Sequence, residues 1–217
     1  MPKVKVTPFS VSLDGYAAGP DQTKENPLGK RGEELHEWMF KKMSGKVEGT
    51  EHTDNEFVEK SSENIGAWIM GRNMFGPIRG PWQDNEWKGW WGENPPFHVP
   101  VFVLTRHARE SVTMKGGTAF HFVTDGIESA LDKAKKAANG KDIRIGGGTS
   151  TIRQFLQGGY IDEMHLAFIP IFLGSGEHLF VGSDNYRLDL PRLGFTETQT
   201  MYGKGATHVI LKKSNGA

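Results

Sequence analysis

The chain has 217 residues, of which 36% are hydrophobic, and its 26 basic residues balance its 26 acidic residues. A net charge of zero gives no electrostatic reason to expect a nucleic-acid or membrane partner. Because the sequence contains no cysteine, disulfides, thiolate zinc sites and a cysteine nucleophile are excluded. No segment approaches the roughly 20 apolar residues that cross a bilayer, and the N-terminus lacks the apolar region of a signal peptide. We therefore expect a single α/β domain over residues 1–217, in the cytoplasm.

The first third of the chain predicts a strand, a long loop and two helices. Alternating valines predict a strand at Lys3–Phe9. Strand character is lost over Ser10–Asp21, where turn signals appear, and a polar connection continues to Gly32. A connection of this length is typical of a functional loop. Apolar stripes then predict helices at Glu33–Ser44 and Asp54–Asn64.

Strand-to-helix units dominate the middle of the chain. Compact apolar runs predict strands, and the near-continuous run PVFVLT is typical of a parallel strand that is covered on both faces. The predicted strands are Gly66–Met70, Pro100–Thr105, Thr118–Val123 and Asp142–Ile145, and a helix capped by Asp125 precedes the last of them.

The C-terminal part alternates between apolar and polar residues, which predicts antiparallel strands. A strand at Met164–Phe172 and a turn at Gly174–Gly176 come first. The alternating segments are Tyr186–Leu190, Gly194–Met201 and Ala206–Lys212, with a hairpin across Tyr202–Gly205. The order of elements predicts a mixed sheet, mostly parallel at its centre, with helices on both faces.

A run of three glycines follows the strand Asp142–Ile145 and leads into a helix. Thr149 and Ser150 offer hydroxyls that could cap this helix, whose apolar residues include Ile152 and Phe155. Backbone N–H groups at a helix start carry partial positive charge, and glycine lets a ligand approach them closely. The pattern therefore predicts a site for phosphate or pyrophosphate. The alternative for such a run alone is that the glycines simply end the strand.

Several segments together resemble the cofactor segments of dihydrofolate reductases, in order and approximate spacing. These are MGRNMF (Met70–Phe75), VFVLTR (Val101–Arg106) and IGGGTSTIRQFL (Ile145–Leu156). SLDGYAAGPD (Ser12–Asp21) departs from dihydrofolate reductase and is similar to the reductase domain of bacterial riboflavin biosynthesis and its single-domain relatives. IDEMHLAFIPIFLGSGEHLF (Ile161–Phe180) also fits that group.

The resemblance implies a dihydrofolate-reductase-like α/β fold with three αβα layers, a mixed and centrally parallel sheet and a C-terminal antiparallel hairpin. It also implies NADPH as the cofactor and a homodimer as the assembly. The implied cofactor-binding residues are Gly71, Arg72, Asn73, Thr105, Arg106, Gly146, Gly147, Gly148, Thr149 and Ser150.

Within that set, the resemblance implies that Arg72 reaches the 2′-phosphate of the adenosine, with Thr105 and Arg106 completing the pocket. Arginine matches phosphate oxygens bidentately, so two of them favour NADPH over NADH. Asn73 lies near the pyrophosphate, whereas Met74 replaces a hydroxyl that relatives carry at its position. The alternatives are that Arg72 is a solvated residue at a helix start and that Arg106 is an exposed residue at a strand end.

The first loop is implied to flank the nicotinamide and the substrate. Asp14 is the candidate catalytic carboxylate, although it is equally well explained as the turn residue of an Asp-Gly pair. The implied substrate-binding residues are Ser12, Gly15, Tyr16 and Trp38. Hydride transfer needs no protein nucleophile, because the cofactor carries that chemistry.

The carboxylate on the first helix of dihydrofolate reductase has only loose counterparts in Glu34, Glu37 and Asp54, which argues against folate as the substrate. The eight histidines show no HxH or HxxxH spacing, so a metal site is not expected. The resemblance thus implies an NADPH-dependent reductase closest to the riboflavin-biosynthesis branch, which passes hydride to a heteroaromatic, iminium or sugar-imine carbon. The rival hypotheses are a dihydrofolate reductase proper and an NADPH-binding protein without catalysis.

Four of the six tryptophans lie in one loop, the Trp loop (Trp82–Trp91). They could stack on a planar ligand, cover the site as a lid or form a dimer surface, or they could anchor a long loop to the core. An interaction module that uses this loop is a further hypothesis, but it leaves the three phosphate-type junctions unexplained.

Overall fold

The structure is a computed structural model that describes residues 2–39, 52–76, 79–182 and 187–214. The described strands are β1 (Val4–Ser12), β2 (Ile65–Gly71), β3 (Pro100–Leu104), β4 (Val112–Thr113), β5 (Ala119–Val123), β6 (Asp142–Gly147), β7 (Glu163–Ile169), β8 (Phe195–Tyr202) and β9 (Thr207–Lys213). The described helices are α1 (His52–Lys60), α2 (Arg72–Phe75), α3 (Ile127–Ala137) and α4 (Thr149–Gln157). None of these helices has the length and apolar character needed to cross a membrane.

The nine described strands form one sheet in the order β4-β5-β3-β2-β6-β1-β7-β9-β8. All pairs from β5 to β7 are parallel, whereas β4 runs antiparallel to β5 and the β8–β9 hairpin runs antiparallel to β7. The hairpin closes where the Gly203 N–H donates to the Ala206 carbonyl at 2.8 Å. The prediction of a mixed, centrally parallel sheet with a C-terminal antiparallel hairpin is confirmed.

The core lies on both faces of this sheet, as expected for parallel strands covered on each side. All seven residues of β2 are buried, and they alternate between the two faces. Ala67 and Ile69 share a cluster with residues of α3 and α4, whereas Trp68 and Met70 share another with Phe75 of α2. The three-layer αβα arrangement predicted from the sequence is therefore confirmed.

Strand β1 runs to Ser12, so the prediction that it ends at Phe9 is wrong. Ser10 and Ser12 are 3% and 0% exposed and satisfy their hydroxyls inside the protein, with Trp38 and Asp14 as partners. Buried serines can thus continue a strand when each hydroxyl has a hydrogen-bond partner inside the protein.

Other predicted boundaries also differ. β7 ends at Ile169, not at Phe172, because Pro170 has no N–H group for the ladder. Of the predicted strand Tyr186–Leu190, Tyr186 lies outside the described part, and residues 187–190 form no strand beyond an isolated bridge between Arg187 and Val181. The sequence predicts a helix at Glu33–Ser44. The structure shows a 3-10 turn at residues 32–35 and a short helical segment at 37–39, and residues 40–44 lie outside the described part. Helix α1 ends at Lys60, four residues before the predicted end.

Candidate functional site

The carboxyl ends of the parallel strands lie along one edge of the sheet, and three predicted junctions meet there. Gly71 at the end of β2 lies opposite Leu104, and its neighbour Met70 lies opposite Gly147. Leu104 in turn lies opposite Val123 of β5. In open α/β sheets this edge is where ligands bind.

The exits of β2 and β6 are in direct contact. A Cβ atom on Gly71 would lie 2.5 Å from Thr151 Oγ1 and 3.5 Å from the Gly148 nitrogen. The first distance is shorter than real Cβ contacts allow, so only glycine fits there without a shift. The turn that follows β2 therefore faces the same space as the glycine turn that follows β6.

The glycine turn leaves room on its outer side. Gly147 has φ +131°, a value that favours glycine, and the Gly147–Gly148 peptide is cis. A Cβ atom on Gly148 would meet no atom within 4 Å. Gly148 is also the cap residue of α4, so the expectation that Thr149 or Ser150 caps this helix is wrong. Without a capping side chain, the first N–H groups of α4 remain available to a ligand.

A carboxylate that the sequence motifs did not single out lies beside this turn. Thr149 Oγ1 donates to Glu177 Oε2 at 3.4 Å, and Arg79 Nη2 donates to Glu177 Oε1 at 3.1 Å. Asn73, with its amide oxygen turned toward Arg79, accepts a further bond from the same guanidinium at 2.7 Å. Asn73 and Thr149 are thus linked across the edge through two charged side chains.

Arg72 directly follows Gly71, and its guanidinium carries no hydrogen bond to the described part of the chain. Its three nitrogens are buried and unpaired, and its Cζ lies 3.2 Å from the centroid of the Trp82 ring. Burial and, to a lesser degree, the charge of Arg109 lower the Arg72 pKa to about 10. A buried, unpaired cation is costly, so this group is suited to an anionic ligand.

The third junction follows β3. Thr105 Oγ1 accepts from the His107 N–H at 3.1 Å, which shapes the turn, and Arg106 is exposed to solvent. The arginine that approaches Arg72 is Arg109, three residues beyond the sequence motif. Sequence reasoning missed Arg109, because no residue pattern in this loop indicates which arginine turns inward.

Asp14 fixes the first loop to the segment that follows β7. Its carboxylate accepts from Ser12 Oγ at 2.6 Å, from the Gly174 N–H at 2.7 Å and from the Leu173 N–H at 3.1 Å. Burial opposes ionisation, but these hydrogen bonds outweigh it and lower the Asp14 pKa. Asp14 is therefore an ionised acceptor that holds the loop in place.

The candidate substrate residues occupy two different environments. Gly15 and Tyr16 pack on His178, whose ring centroid lies 4.9 Å from that of Tyr16. Ser12 is fully buried, and its hydroxyl accepts from the Tyr16 N–H at 2.9 Å. Trp38 is only 7% exposed and donates from Nε1 to Ser10 Oγ at 3.1 Å, so it packs inside the protein.

The Trp loop is anchored to the backbone of its own chain. Trp90 and Trp91 both donate from Nε1 to the Met74 carbonyl, at 2.8 and 2.9 Å, and Trp82 donates to the His107 carbonyl at 2.9 Å. These three indole groups therefore hold the loop against the β2 and β3 exits. This geometry favours the interpretation of the tryptophans as anchors.

Asp54, one of the loose counterparts of a catalytic carboxylate, ends a buried hydrogen-bond chain. It accepts from His208 Nε2 at 2.8 Å, and His208 Nδ1 lies 2.9 Å from His165 Nε2. Thr7 Oγ1 lies 3.5 Å from His165 Nδ1. Two neutral imidazoles satisfy this chain when each donates from Nε2 and accepts at Nδ1. The other two counterparts are surface residues, and Glu34 pairs with Arg31 at 2.8 Å.

Comparison with known proteins is consistent with this architecture. The family model described as the RibD C-terminal domain matches residues 2–205. The chain belongs to the RibD C-terminal domain family. An uncharacterized Bacillus subtilis protein, YyaP, is 42% identical to this RibD C-terminal domain over 60 residues, which cover 28% of the chain and 31% of that relative.

Two solved structures show the same fold. A Shewanella sp. PV-4 protein named for riboflavin biosynthesis has a TM-score of 0.60 at 24% identity, with 99% of this chain and 100% of that chain covered. Dihydrofolate reductase from Enterococcus faecalis, complexed with NADP(H) and RAB-propyl, has a TM-score of 0.54 at 13% identity, with 98% and 97% covered. This RibD C-terminal domain therefore has the dihydrofolate-reductase-like fold that the sequence motifs predicted.

Substitution of the two site glycines should have opposite consequences for stability. Gly148→Ala adds a methyl group to open space, so the free energy of unfolding should change by less than about 1 kcal/mol. Gly71→Ala places its methyl group against Thr151 and should destabilise the fold by more than that, through overpacking. Urea unfolding of both variants measures the difference. Equal destabilisation would contradict the open space at Gly148.

The buried histidine chain should make the fold less stable in acid. Burial is the largest factor that lowers the pKa of His165, to about 3, and it also lowers that of His208. Histidines in the unfolded chain have pKa values of about 6.5, so between pH 3 and pH 6.5 the unfolded chain binds more protons than the folded chain. This stabilisation is complete above pH about 6.5 and is lost as the pH falls toward 3.

Urea unfolding at pH 7 and pH 5 tests this expectation. Each histidine contributes at most about 1.4 kcal/mol per pH unit within that window. His165→Gln should show a smaller loss between the two pH values than the wild-type chain. A loss of the same size in both would show that His165 does not carry the effect.

Proposed function

We propose that this chain is an NADPH-dependent reductase that transfers hydride to a small heteroaromatic, imine or pterin/pyrimidine-type substrate, similar to 5-amino-6-(5-phosphoribosylamino)uracil reductase. One observation carries the proposal: an arginine with three buried, unpaired nitrogens lies at the exit of β2, and the glycine before it packs against the first turn of the helix that follows the glycine turn of β6. A ligand with a pyrophosphate and a separate phosphate group matches that pairing. The membership of the RibD C-terminal domain family supports an oxidoreductase.

The residues at this edge fit the two phosphate-bearing parts of NADPH. The open space at Gly148 and the uncapped N–H groups of α4 would hold the pyrophosphate, because a helix start favours anions. The buried guanidinium of Arg72 would hold the 2′-phosphate, since its unpaired donors gain partners when a phosphate binds. The NADP(H) bound to the Enterococcus faecalis neighbour supports this choice of cofactor.

The nicotinamide of bound NADPH supplies the hydride, and the chain supplies position and environment. Asp14 acts as a positioning residue that holds the first loop through three hydrogen bonds. Next to it, Leu13 and Phe172 are 52% and 65% exposed, and the Leu13 N–H donates to the Ile171 carbonyl at 3.0 Å. These two apolar side chains offer a surface for a planar ring. The proton that completes the reduction would come from water, because the carboxyl group of Asp14 is ionised.

Loss of the Arg72 charge should weaken the binding of NADPH and leave that of NADH unchanged. A hydrogen bond to a charged group contributes about 1.5–3 kcal/mol, so Arg72→Gln should lower NADPH affinity by roughly 10- to 100-fold. Thermal unfolding with each cofactor measures this, since a ligand at a hundred times its dissociation constant stabilises a fold by about 2.7 kcal/mol. Equal stabilisation of the wild-type chain by NADPH and NADH would contradict the proposed role of Arg72.

Oxidation of NADPH by pterin, pyrimidine and flavin acceptors tests the reaction itself. The proposal expects a loss of NADPH absorbance with at least one of these acceptors. Fast turnover of dihydrofolate with tight methotrexate binding would instead identify a dihydrofolate reductase. Binding of NADPH with no turnover on any acceptor would identify a cofactor-binding protein without catalysis.

A further inference from the structure

Arg109 lies in the loop after β3, enclosed by aromatic side chains. Its guanidinium carbon lies 4.7 Å from the ring centroid of Trp82, 5.2 Å from that of Phe122 and 5.7 Å from that of Phe75. Aromatic faces attract cations, so this enclosure stabilises an inward-facing guanidinium. It does not supply a hydrogen-bond acceptor for every N–H group.

The Trp loop fixes the direction of this guanidinium. Arg109 Nη2 donates to the Asn85 carbonyl at 2.7 Å and to the Trp87 carbonyl at 2.5 Å. Nη1 is buried and has no partner among the described residues. One side of the group is therefore bound to the loop, and the other side is left without an acceptor.

Arg109 and Arg72 lie close together despite their like charges. Their guanidinium carbons lie 4.7 and 3.2 Å from the same Trp82 centroid, so they are no more than about 8 Å apart. Burial lowers the pKa of Arg109, and the carboxylates of Asp84 and Glu86 only partly oppose that shift. Both acidic residues are exposed, and no hydrogen bond or ion pair joins either to Arg109 in the described part of the chain. Two cations with buried, unpaired donors thus share one aromatic side chain.

A single phosphate group would satisfy both arginines. Charge-assisted N–H···O bonds are about 2.7–2.9 Å long, and the two guanidinium carbons lie within about 8 Å of each other, so a phosphate that contacts both groups can accept from each of them. Its negative charge would also offset the repulsion between the two cations. Arg106, by contrast, is exposed and lies outside this aromatic enclosure.

We infer that Arg109, rather than Arg106, is the second cation of the 2′-phosphate site and that the Trp loop holds it there. This inference rests on the proposed function, since it assigns a residue to the cofactor site of the same reductase. Arg109 is a specificity-determining residue, because its contribution concerns the phosphate that distinguishes NADPH from NADH.

Calorimetric titration with adenosine 2′,5′-bisphosphate and with 5′-AMP tests the inference, because the two probes differ only in the 2′-phosphate. The wild-type chain should bind the bisphosphate at least tenfold more tightly. Arg109→Gln should lower its affinity by at least about tenfold and leave that of 5′-AMP within about twofold. Arg192→Gln, which removes an exposed arginine elsewhere, should change neither affinity.

Four outcomes would overturn the inference. If Arg109→Gln weakens both probes equally, Arg109 only supports the loop. If Arg106→Gln removes the preference for the bisphosphate and Arg109→Gln does not, the second cation is Arg106. If the wild-type chain binds NADPH and Arg109→Gln keeps the full preference, the inference falls and the reductase proposal stands. If the wild-type chain binds neither NADPH nor the bisphosphate, the proposed function fails and the inference fails with it.

Discussion

The exit of β2 lies so close to the first turn of α4, which follows the exit of β6, that only glycine fits at position 71 without a shift. Because the two strands are parallel and adjacent, both turns leave the sheet on the same edge. Arg72, the next residue, therefore begins α2 at the same edge of the sheet as the glycine turn that begins α4. A bulkier residue at position 71 would force Thr151 to shift, and we expect that shift to disturb the edge at which both turns lie. The candidate site depends on this contact more than on any single charged side chain.

Buried polar groups in this chain fall into two kinds. His165 and His208 lie inside the fold and form hydrogen bonds with each other and with Asp54. These buried ring nitrogens therefore have partners within the protein. Arg72 and Arg109 carry buried nitrogens that have no partner among the described residues, at the edge where the parallel strands end. Arg144 is an intermediate case, since its Nε is unpaired while Nη1 donates to the Ser61 carbonyl at 2.9 Å. Unpaired cations at this edge of the sheet are groups whose hydrogen bonds a bound anion would complete.

The sequence was sufficient for the fold and for the order of the three junctions, because apolar runs and glycines encode strands and turns locally. It was insufficient wherever a side chain finds its partner across the sheet. Ser10 and Ser12 read as loop residues, yet their hydroxyls are bonded to Trp38 and Asp14, which lets β1 continue. Arg109, unlike Arg106, is held inward by hydrogen bonds to two carbonyl groups of the Trp loop. No local sequence pattern predicts such a contact.

Hydrogen exchange with and without saturating NADPH tests most directly whether the three exits share one ligand. We expect a single ligand to slow amide exchange in residues 71–75, 105–109 and 146–151 together. These segments are separated in sequence and meet only at the edge of the sheet. Protection at one exit alone, or at none of them while NADPH is bound, would contradict the account.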